Sequence, residues 1–552
     1  MIYQANPDTS NENHDIKYTK KNNIFSLQTN KNILQRVPLN IFQTWHTLEL
    51  PPHMKRNVDI LKQNNPEFKH YLYDDEMCKE FIRTHFDSDT LYAFQKLKPG
   101  AYKADLWRYC VLYIHGGIYL DIKFECVNKF PLIKLTDKEY WVRDTNIQNI
   151  IGIYQALMVC YPRTQILRKI IDKVIYNVKN NQYTTTCLCV TGPHLLNNFF
   201  FDSHILNFEL QNINGTILLN NSKILTGYNG YRKEQQTLQK TLHYSKIWNT
   251  RNIYNYPTLN AIKIKNITRT IERDGVTYFS STPFIIESNN TYMIILKWIN
   301  YAYHEDGYKN VNKYFNTWKS FNSFFTYDKD LSIKSEEIFS ETMMEDIRLF
   351  QYKNQLLYTS SCFNNFTKKN GCSCGEVYEI STFFNEKNVI QKNFDIYRDE
   401  KNWVYCELRN ELKIIYNWYP LTIAEVDFEN NELLNCEFKY NLPEIFKQAK
   451  GGTCGVIIDN QIWFVLHVSQ NYNYNKNHYS NYQHFFAIFD LDMNLTRHSE
   501  LFKFDDKKIE FCTSLIIDNK QLIMGFSTLD TNSYIGIYDK IEIETTLKWE
   551  YN

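Results

Sequence analysis

The residues whose spacing is most specific for chemistry are an acid and a base three positions apart, followed by a double glycine and a further acid. They are Asp105 and Arg108, then Gly116-Gly117, then Asp121. If residues 102–114 form a helix, this spacing puts the carboxylate and the guanidinium on one face. Two glycines let the chain leave that helix with positive φ, and an acid at the carboxyl end of the next strand lies where open α/β sheets bind ligands. Taken singly, the Asp105–Arg108 pair is equally typical of a surface ion pair, the double glycine of a helix cap, and Asp121 of a turn. Together these residues indicate a ligand-binding site.

The elements that must position this site alternate between strand and helix patterns from Val37 to about Arg251. Apolar runs at 37–45, 69–73 and 118–124 predict strands, and the spacing at 54–63, 76–84 and 102–114 predicts helices, with Asp75 as the N-cap of the second. Strand–helix–strand order favours an α/β layer with a largely parallel sheet.

From about Pro257 short strands recur and helical patterns become scarce. Five imperfect units begin near residues 282, 345, 401, 451 and 509. A two-residue or three-residue turn recurs within each unit: Ser288-Asn-Asn290, Lys353-Asn354, Arg409-Asn410, Asp459-Asn460 and Asp518-Asn519. Five such units predict an all-β five-bladed β-propeller, with a double β-sandwich as the alternative.

The unit openings supply the candidate ligand residues of this second half. In a propeller the innermost strand of each blade lines the central funnel. A carboxylate beside cations and a Trp could bind sugar there, and the same residues could instead tie the blades together through buried hydrogen bonds. The candidates for glycan binding are Glu345, Asp346, Arg348, Lys401, Asn402, Trp403 and Glu510.

Composition excludes several function classes. The 552 residues hold 62 Lys+Arg against 61 Asp+Glu, which argues against a nucleic-acid binder. The odd count of 13 Cys, without a framework spacing, predicts reduced thiols, and no apolar h-region or membrane-length run is evident. We therefore expect a soluble cytoplasmic protein without a membrane span. Aromatic residues reach 16%, a fraction that could line sugar sites but could equally fill strand faces, and the Asn- and Lys-rich usage is typical of A/T-biased coding.

The first half resembles glycosyltransferase family 32, sugar-nucleotide transferases with a DXD motif. The resemblance rests on Pro38–Trp45, the helix-Gly-Gly-Ile-Tyr-Leu-Asp run, Thr191-Gly-Pro193 and His243–Trp248. It implies a Rossmann-like GT-A fold, a nucleotide-sugar donor as substrate, a glycan or protein-linked acceptor, retention of anomeric configuration and a Mn²⁺ or Mg²⁺ ion.

The same resemblance implies roles for individual residues. Asp105 and Arg108 would hold donor sugar hydroxyls, and Tyr119 with Asp121 would face ribose, phosphate or metal. Trp45 would lie near the base, and His243 and Trp248 would close over the diphosphate.

This chain departs from the family pattern at one position, because Asp-x-Asp is replaced by Asp121-Ile-Lys123. On a strand the two charged side chains would point to one face. Lys123 could take over part of the charge role of the metal, or Asp121 could hold the ion with another ligand such as Glu125 or His243. The site could also bind donor without turnover, and Lys123 could simply face solvent.

The second half resembles the five-bladed propellers of family 130 glycoside phosphorylases and related hydrolases. The resemblance rests on Glu345-Asp-Ile-Arg348, Lys401-Asn-Trp403 and Gly451-Gly-Thr453, and it implies that Asp346 is a proton donor. Here Ile347 replaces the Pro of the family motif. We therefore expect this half to bind or trim a glycan instead of catalysing phosphorolysis.

Together these patterns predict a polar segment at 1–34, a transferase-like domain at 35–255 and a propeller domain at 256–552. We expect a hexosyltransferase whose propeller binds or processes carbohydrate. The alternatives are a propeller-based hydrolase or phosphorylase with a degenerate first domain, and a carbohydrate-binding protein without activity.

Overall fold

The computed structural model describes residues 37–147, 150–238, 242–288, 290–311, 320–339, 344–353, 355–363, 376–382, 388–390, 402–427, 432–474, 477–518 and 520–552. The chain divides into two compact units between Asn255 and Tyr256. The first is mixed α/β and the second is mostly β. No helix in the described part of the chain is long and apolar enough to cross a membrane.

The first unit contains ten strands and nine helices in its described ranges. Its strands are β1 (Asn40–Thr44), β2 (Lys69–Tyr73), β3 (Gly117–Leu120), β4 (Phe124–Cys126), β5 (Val142–Ile147), β6 (Ile150–Ile153), β7 (Leu157–Cys160), β8 (Leu210–Ile213), β9 (Thr216–Leu219) and β10 (Ser222–Gly227). Its helices are α1 (Pro52–Asn64), α2 (Asp75–His85), α3 (Ser88–Lys96), α4 (Gly100–His115), α5 (Gln165–Lys179), α6 (Pro193–Asn197), α7 (Asp202–Leu206), α8 (Tyr231–Leu238) and α9 (Tyr244–Asn249).

Two sheets organise this unit. The first has the order β2-β1-β3-β7, with β1 parallel to β2 and β3, and with β7 antiparallel at its edge. The second has the order β4-β10-β9-β8-β5-β6 and is mainly antiparallel. An apolar core joins both sheets and includes Ile41, Ile118, Leu120, Phe124 and Leu157.

The predicted elements around the site are largely confirmed, with two differences. The predicted helix at 102–114 lies within α4, and the predicted strand at 69–73 matches β2. The N-cap of α2 is Asp74 instead of Asp75, because the Asp74 carboxylate accepts the Met77 N–H at 2.8 Å. The predicted strand at 118–124 is wrong, since β3 ends at Leu120 and β4 begins at Phe124.

The second unit is built from strands, with one short helix, α10 (Lys540–Thr546). The strands of its first part are β11 (Lys263–Asn266), β12 (Thr270–Arg273), β13 (Val276–Ser288), β14 (Thr291–Ile299), β15 (Tyr301–Tyr303), β16 (Lys309–Val311), β17 (Ser320–Tyr327), β18 (Ile333–Phe339), β19 (Met344–Tyr352), β20 (Gln355–Phe363), β21 (Glu376–Thr382) and β22 (Asn388–Ile390). Those of its second part are β23 (Val404–Leu408), β24 (Glu411–Trp418), β25 (Leu421–Asp427), β26 (Glu432–Phe438), β27 (Ala449–Lys450), β28 (Val456–Ile458), β29 (Gln461–Tyr474), β30 (Asn477–Asp490), β31 (Leu495–Ser499), β32 (Glu510–Asp518), β33 (Gln521–Thr528), β34 (Asn532–Asp539) and β35 (Trp549–Tyr551).

These strands form five antiparallel sheets and a small β15-β16 ribbon. Four of the sheets follow chain order: β12-β13-β14-β17-β18, β19-β20-β21-β22, β23-β24-β25-β26 and the sheet built on β27 to β31. The fifth has the order β11-β34-β33-β32, so the first strand of the unit pairs with a strand close to its end. Each sheet contacts the next in chain order, and the fifth contacts the first through β32 and β13.

Two of the five predicted turns are confirmed as hairpin connections: Arg409-Asn410 joins β23 to β24, and Asp459-Asn460 joins β28 to β29. The strands on either side of the other three turns pair as antiparallel neighbours, but these turns include positions 289, 354 and 519, which lie outside the described residues. At Arg409-Asn410 and Asp459-Asn460 both residues have positive φ, as a type I′ turn requires.

Candidate functional site

Helix α4 brings Asp105 and Arg108 together in the interior of the first unit. The guanidinium Nη2 lies 3.2 Å from Asp105 Oδ1, which confirms the same-face prediction, and both residues are 6% exposed. Thr191 donates its hydroxyl to Asp105 Oδ2 at 2.7 Å, and Arg108 donates to the Gln155 carbonyl at 2.8 Å. The buried pair is therefore fixed by partners from two distant segments.

The double glycine directs the chain from α4 into β3. Gly116 and Gly117 both have positive φ, at 61° and 117°. A Cβ on Gly117 would lie 2.7 Å from the Asn40 carbonyl oxygen of the neighbouring strand β1. Only glycine permits this close approach, so the pair sets the position of β3 beside β1 and of the residues that follow it.

Asp121 and Lys123 meet across a turn instead of along a strand. Asp121 follows the last residue of β3, and the Phe124 N–H donates to its carbonyl at 3.1 Å. Lys123 Nζ donates to Asp121 Oδ2 at 2.9 Å. The two side chains do lie together, but the predicted reason, alternation along a strand, was wrong. The alternative that Lys123 simply faces solvent is also wrong, because its ammonium binds Asp121.

A hydrogen-bonded chain connects this pair to the buried one. Tyr119 donates its hydroxyl to Asp121 Oδ1 at 3.0 Å, and Arg108 Nη1 lies 3.6 Å from the same oxygen. The Arg108 guanidinium also stacks 4.3 Å from the centre of the Tyr119 ring. The side chains of Asp121 and Lys123 are 25% and 22% exposed, so the network runs from the core to a surface that a ligand can reach.

Burial and the two cations set the protonation of these groups. Burial raises the pKa of Asp105, although Arg108 and Thr191 oppose the shift. Burial also opposes ionisation of Asp121, but Lys123 and Arg108 outweigh it and hold the pKa of that carboxyl below its usual value. Burial would lower the pKa of Lys123, yet the neighbouring Asp121 raises it. Asp121 and Lys123 therefore form an ion pair at neutral pH.

Three tyrosines that sequence reasoning missed interact with the charged groups of this site, Tyr154 by direct contact and Tyr231 and Tyr244 through electrostatics. The ring centre of Tyr154 lies 5.3 Å from Lys123 Nζ. Burial first, and the charge of Asp121 next, raise the pKa of Tyr231 to about 12, and burial with Cys187 and Asp105 raises the pKa of Tyr244 to about 12. With 41 tyrosines in the chain, no local pattern distinguished these three.

Trp45 lies beside the same turn, and its predicted place near the nucleotide base stays a prediction. It immediately follows β1 and packs against a cluster that contains Ile122, the residue between Asp121 and Lys123. Its Nε1 is buried and has no hydrogen-bond partner among the residues that the structure describes. A buried donor without a partner next to a polar surface group is a position where a ligand atom could accept a hydrogen bond.

His243 and Trp248 take other roles in the structure. His243 is exposed and caps α9, with Nδ1 2.8 Å from Ser245 Oγ. Trp248 donates Nε1–H to the Tyr183 carbonyl at 2.6 Å, and Arg251 covers its ring at 4.6 Å. Within the described residues no contact joins either side chain to Asp121, so their role in closing over a diphosphate stays a prediction.

The residues at this site do not fit a divalent cation. Mn²⁺ or Mg²⁺ needs several oxygen ligands in near-octahedral arrangement. Within the part of the chain that the structure describes, no group of three or more His, Cys, Asp and Glu side chains is arranged to hold a metal. Both oxygens of Asp121 already accept hydrogen bonds, from Tyr119 and Lys123, and the expected partners Glu125 and His243 are exposed without joining it.

A second cluster of charged groups lies in the β-rich unit around Asp346. The ladder between β19 and β20 shifts register between Glu345 and Arg348, and Asp346 has a positive φ of 55°. This bulge directs the carboxylate to Lys297, whose Nζ donates to Oδ1 at 2.7 Å. Lys297 is 5% exposed, and the carboxylates of Asp346, Glu345 and Asp530 raise its pKa against the effect of burial.

Three of the predicted glycan-binding residues of this unit are buried and serve the fold. Arg348 is 2% exposed and donates to the carbonyls of Gly452 and Asp346. Trp403 is 2% exposed and packs in an apolar cluster. Glu510 is fully buried, and its carboxylate accepts the backbone N–H groups of Phe504, Asp505 and Lys507. The structure therefore gives these three side chains buried contacts within the protein, and their role in glycan binding stays a prediction.

The other candidates keep some access to solvent or lie outside the description. Glu345, Asp346 and Asn402 are partly exposed. Lys401 lies outside the described residues. Asn402 also has positive φ, at 69°, and its side-chain oxygen lies 3.3 Å from Arg348 Nη2.

Comparisons with known proteins agree with the first site. Residues 51–142 match the family model described as a glycosyltransferase sugar-binding region containing a DXD motif. Inositol phosphoceramide mannosyltransferase 2 of Schizosaccharomyces pombe is 31% identical over 159 residues, which is 28% of this chain and 44% of that protein. The mannosyl phosphorylinositol ceramide synthase SUR1 of Saccharomyces cerevisiae is 34% identical over 100 residues, 18% of this chain and 26% of that protein. The chain thus spans less than half the length of these relatives.

Among solved structures, the β-1,2-mannobiose phosphorylase of Listeria innocua is similar with 12% sequence identity and a TM-score of 0.37. The match covers 52% of this chain and 99% of that protein.

The match over 51–142 includes Asp105, Arg108, Asp121 and Lys123, which the structure joins in one network. Residues 51–142 of this chain are therefore similar to the sugar-binding region of glycosyltransferases that contain a DXD motif.

Proposed function

We propose that the first unit is a hexosyltransferase that moves a sugar, with mannose as the first candidate, from a nucleotide donor to a glycan or protein-linked acceptor. One observation carries this proposal: the partly exposed Asp121–Lys123 pair is connected to the buried Asp105–Arg108 pair. All four residues lie inside the matched sugar-binding region. Mannose is the first candidate because both relatives are named for the transfer of mannosyl groups. A GT-A fold and retention of configuration belong to the same proposal.

The four charged residues of the site have two different roles, contact with the donor and positioning of the residues that contact it. Asp121 and Lys123 reach the surface and can contact a donor. Asp105 and Arg108 are almost wholly buried, so their contact with a donor is limited to the few atoms that reach the floor of the site. Arg108 stacks on Tyr119 and lies beside Asp121, so it is a positioning residue for both. Catalysis of this kind depends on orientation and on stabilising the charge of the leaving diphosphate.

We also propose that the β-rich unit is a five-bladed β-propeller that binds carbohydrate. The closed succession of five antiparallel sheets and the pairing of β11 with β34 support this architecture. The partly exposed Glu345, Asp346 and Asn402 support a polar glycan-binding surface, and the positive φ of Asp346 and Asn402 is the kind of strained backbone that gathers at functional sites. Hydrolysis with Asp346 as proton donor has less support, because protonating Asp346 would break its ion pair with Lys297.

Donor hydrolysis across a panel of UDP- and GDP-sugars, with and without Mn²⁺, tests the transferase proposal. We expect turnover of at least one donor, and Asp121→Asn should reduce it at least about tenfold, because the variant removes the negative charge and one of the two oxygens that accept from Tyr119 and Lys123. Asp59→Asn, an exposed carboxylate on α1, is the matched control. Absence of turnover with every donor and acceptor, or full activity of Asp121→Asn, would contradict the proposal.

A further inference from the structure

The position two residues after Asp121 holds a cation where the matched family is described by a second Asp. Lys123 lies in the turn between β3 and β4, with Nζ 2.9 Å from Asp121 Oδ2. Phe124 and Tyr154 present their rings to the same ammonium, with centres at 5.1 Å and 5.3 Å. The ammonium is thus held by one carboxylate and two aromatic rings, and it still keeps 22% of its side chain exposed.

The charge balance of the site explains what this cation can replace. Exchanging a carboxylate for an ammonium raises the local formal charge by two, which is the charge of the divalent cation that a pair of carboxylates would bind. In this chain Asp105 and Asp121 are balanced by Arg108 and Lys123 without any metal. With Asp at position 123 the same four positions would sum to −2 and would reach neutrality only with a divalent cation bound, so Lys123 supplies the charge that the metal would supply.

Electrostatics also works against a metal entering beside Asp121. A divalent cation that used Oδ2 would have to displace Lys123 or lie within a few ångströms of its ammonium, and Arg108 Nη1 is 3.6 Å from the other oxygen. Like charges at that distance repel strongly in a partly buried site. Asp121 therefore binds the two protein cations, Arg108 and Lys123, instead of a metal ion.

We propose that Lys123 Nζ binds the diphosphate of the nucleotide-sugar donor in place of a divalent cation, so that donor binding by this chain requires no metal. This inference rests on the proposed transferase function and specifies how the same site holds its substrate. An ammonium is a compact point charge with three donors, which suits phosphate oxygens as well as the Asp121 carboxylate.

Calorimetric titration of the full chain with GDP and with UDP, in EDTA and in Mn²⁺, provides the test. We expect at least one nucleoside diphosphate to bind with the same affinity in both buffers. Lys123→Met should weaken that binding at least about tenfold, and Lys123→Arg should retain most of it because the charge is kept. Lys55→Met, an exposed lysine on α1, is the matched control, and circular dichroism checks that each variant is folded.

A gain-of-dependence variant gives a second, independent readout. Lys123→Asp recreates Asp-x-Asp, and we expect it to bind Mn²⁺ in an EPR titration that shows no site in the wild type. Its nucleotide binding should be weak in EDTA and should recover in Mn²⁺. Wild-type binding that requires Mn²⁺, or a wild-type Mn²⁺ site that disappears in Asp121→Asn, would overturn the inference while leaving the transferase proposal intact. Absence of nucleotide binding in both buffers would overturn the transferase proposal and this inference with it.

Discussion

The ion pair between Lys297 and Asp346 gives a quantitative prediction that separates a structural role of Asp346 from a catalytic one. The two side chains are 6% and 21% exposed and are joined at 2.7 Å. Breaking a buried pair by removing one partner typically costs about 3–5 kcal/mol of unfolding free energy, because the other charge is left buried. Since Glu345 and Asp530 also act on Lys297, we expect the low end, about 3 kcal/mol, for Asp346→Asn. Asn tolerates the positive φ at this position, so the substitution isolates the charge.

A double-mutant cycle provides the assay. Asp346→Asn, Lys297→Met and the double variant are compared by native-state hydrogen exchange of the peptide that spans β14, which reports opening of this region within the full chain. The double variant should cost at least about 1.5 kcal/mol less than the sum of the single variants, as expected for residues in direct contact. Additivity within about 0.5 kcal/mol would refute the reasoning, because it would mean that the pair contributes no coupling energy. Loss of glycan turnover in Asp346→Asn without any loss of stability would instead favour a proton-donor role.

Two further predictions concern the segment that supports the buried pair of α4. Thr191→Val removes the hydroxyl that donates to Asp105 and should lower the unfolding free energy of the first unit by about 2 kcal/mol in urea titration. Thr191→Ser should retain most of that stability, and equal loss in both variants would contradict the hydrogen-bond explanation. Burial opposes ionisation of Cys189, but His194, Thr185 and Thr186 outweigh it and lower its pKa to about 7, whereas burial raises the pKa of Cys126 to about 11. Because the thiolate is the reactive form, iodoacetamide labelling of Cys189 followed by mass spectrometry should rise with a midpoint near pH 7, and Cys126 should stay unlabelled there; equal rates would contradict it.

The buried half of the first site could be predicted from local patterns. Residues 102–114 have a clear helical period and end at Gly116-Gly117, so the contact between Asp105 and Arg108 follows from spacing alone. The Asp121 turn could not, because the apolar residues of Ile118–Phe124 alternate like those of a strand, and Asp121 alone did not outweigh that pattern. Ile122 breaks that strand to pack with Met54 and Val58 in a separate apolar cluster, a tertiary contact that overrides local propensity.

The partners that complete the site come from distant parts of the chain. Thr191 and Gln155 reach α4 from positions 86 and 47 residues away, and only the folded arrangement brings them there. The same limit applies to Lys297 and Asp346, which are 49 residues apart on different sheets. In contrast, the hairpin turns Arg409-Asn410 and Asp459-Asn460 of the second unit were predictable, because each contains Asn or Asp, which tolerate the positive φ that two-residue turns need.

Exposure decides which of the charged groups in this chain can meet a substrate. At the openings predicted for the second unit, Arg348, Trp403 and Glu510 are almost wholly buried and their polar atoms are engaged by the protein itself. At the first site the burial is graded, since the Asp105–Arg108 pair is enclosed and the Asp121–Lys123 pair reaches the surface. The buried Asp105–Arg108 pair supports the accessible cation Lys123 from below. This arrangement favours pre-organised charge stabilisation, because the cation need not reorganise when an anion binds. The chemistry that we assign to the first unit therefore depends less on the number of its charged residues than on the network that leads from the buried Asp105 to the partly exposed Lys123.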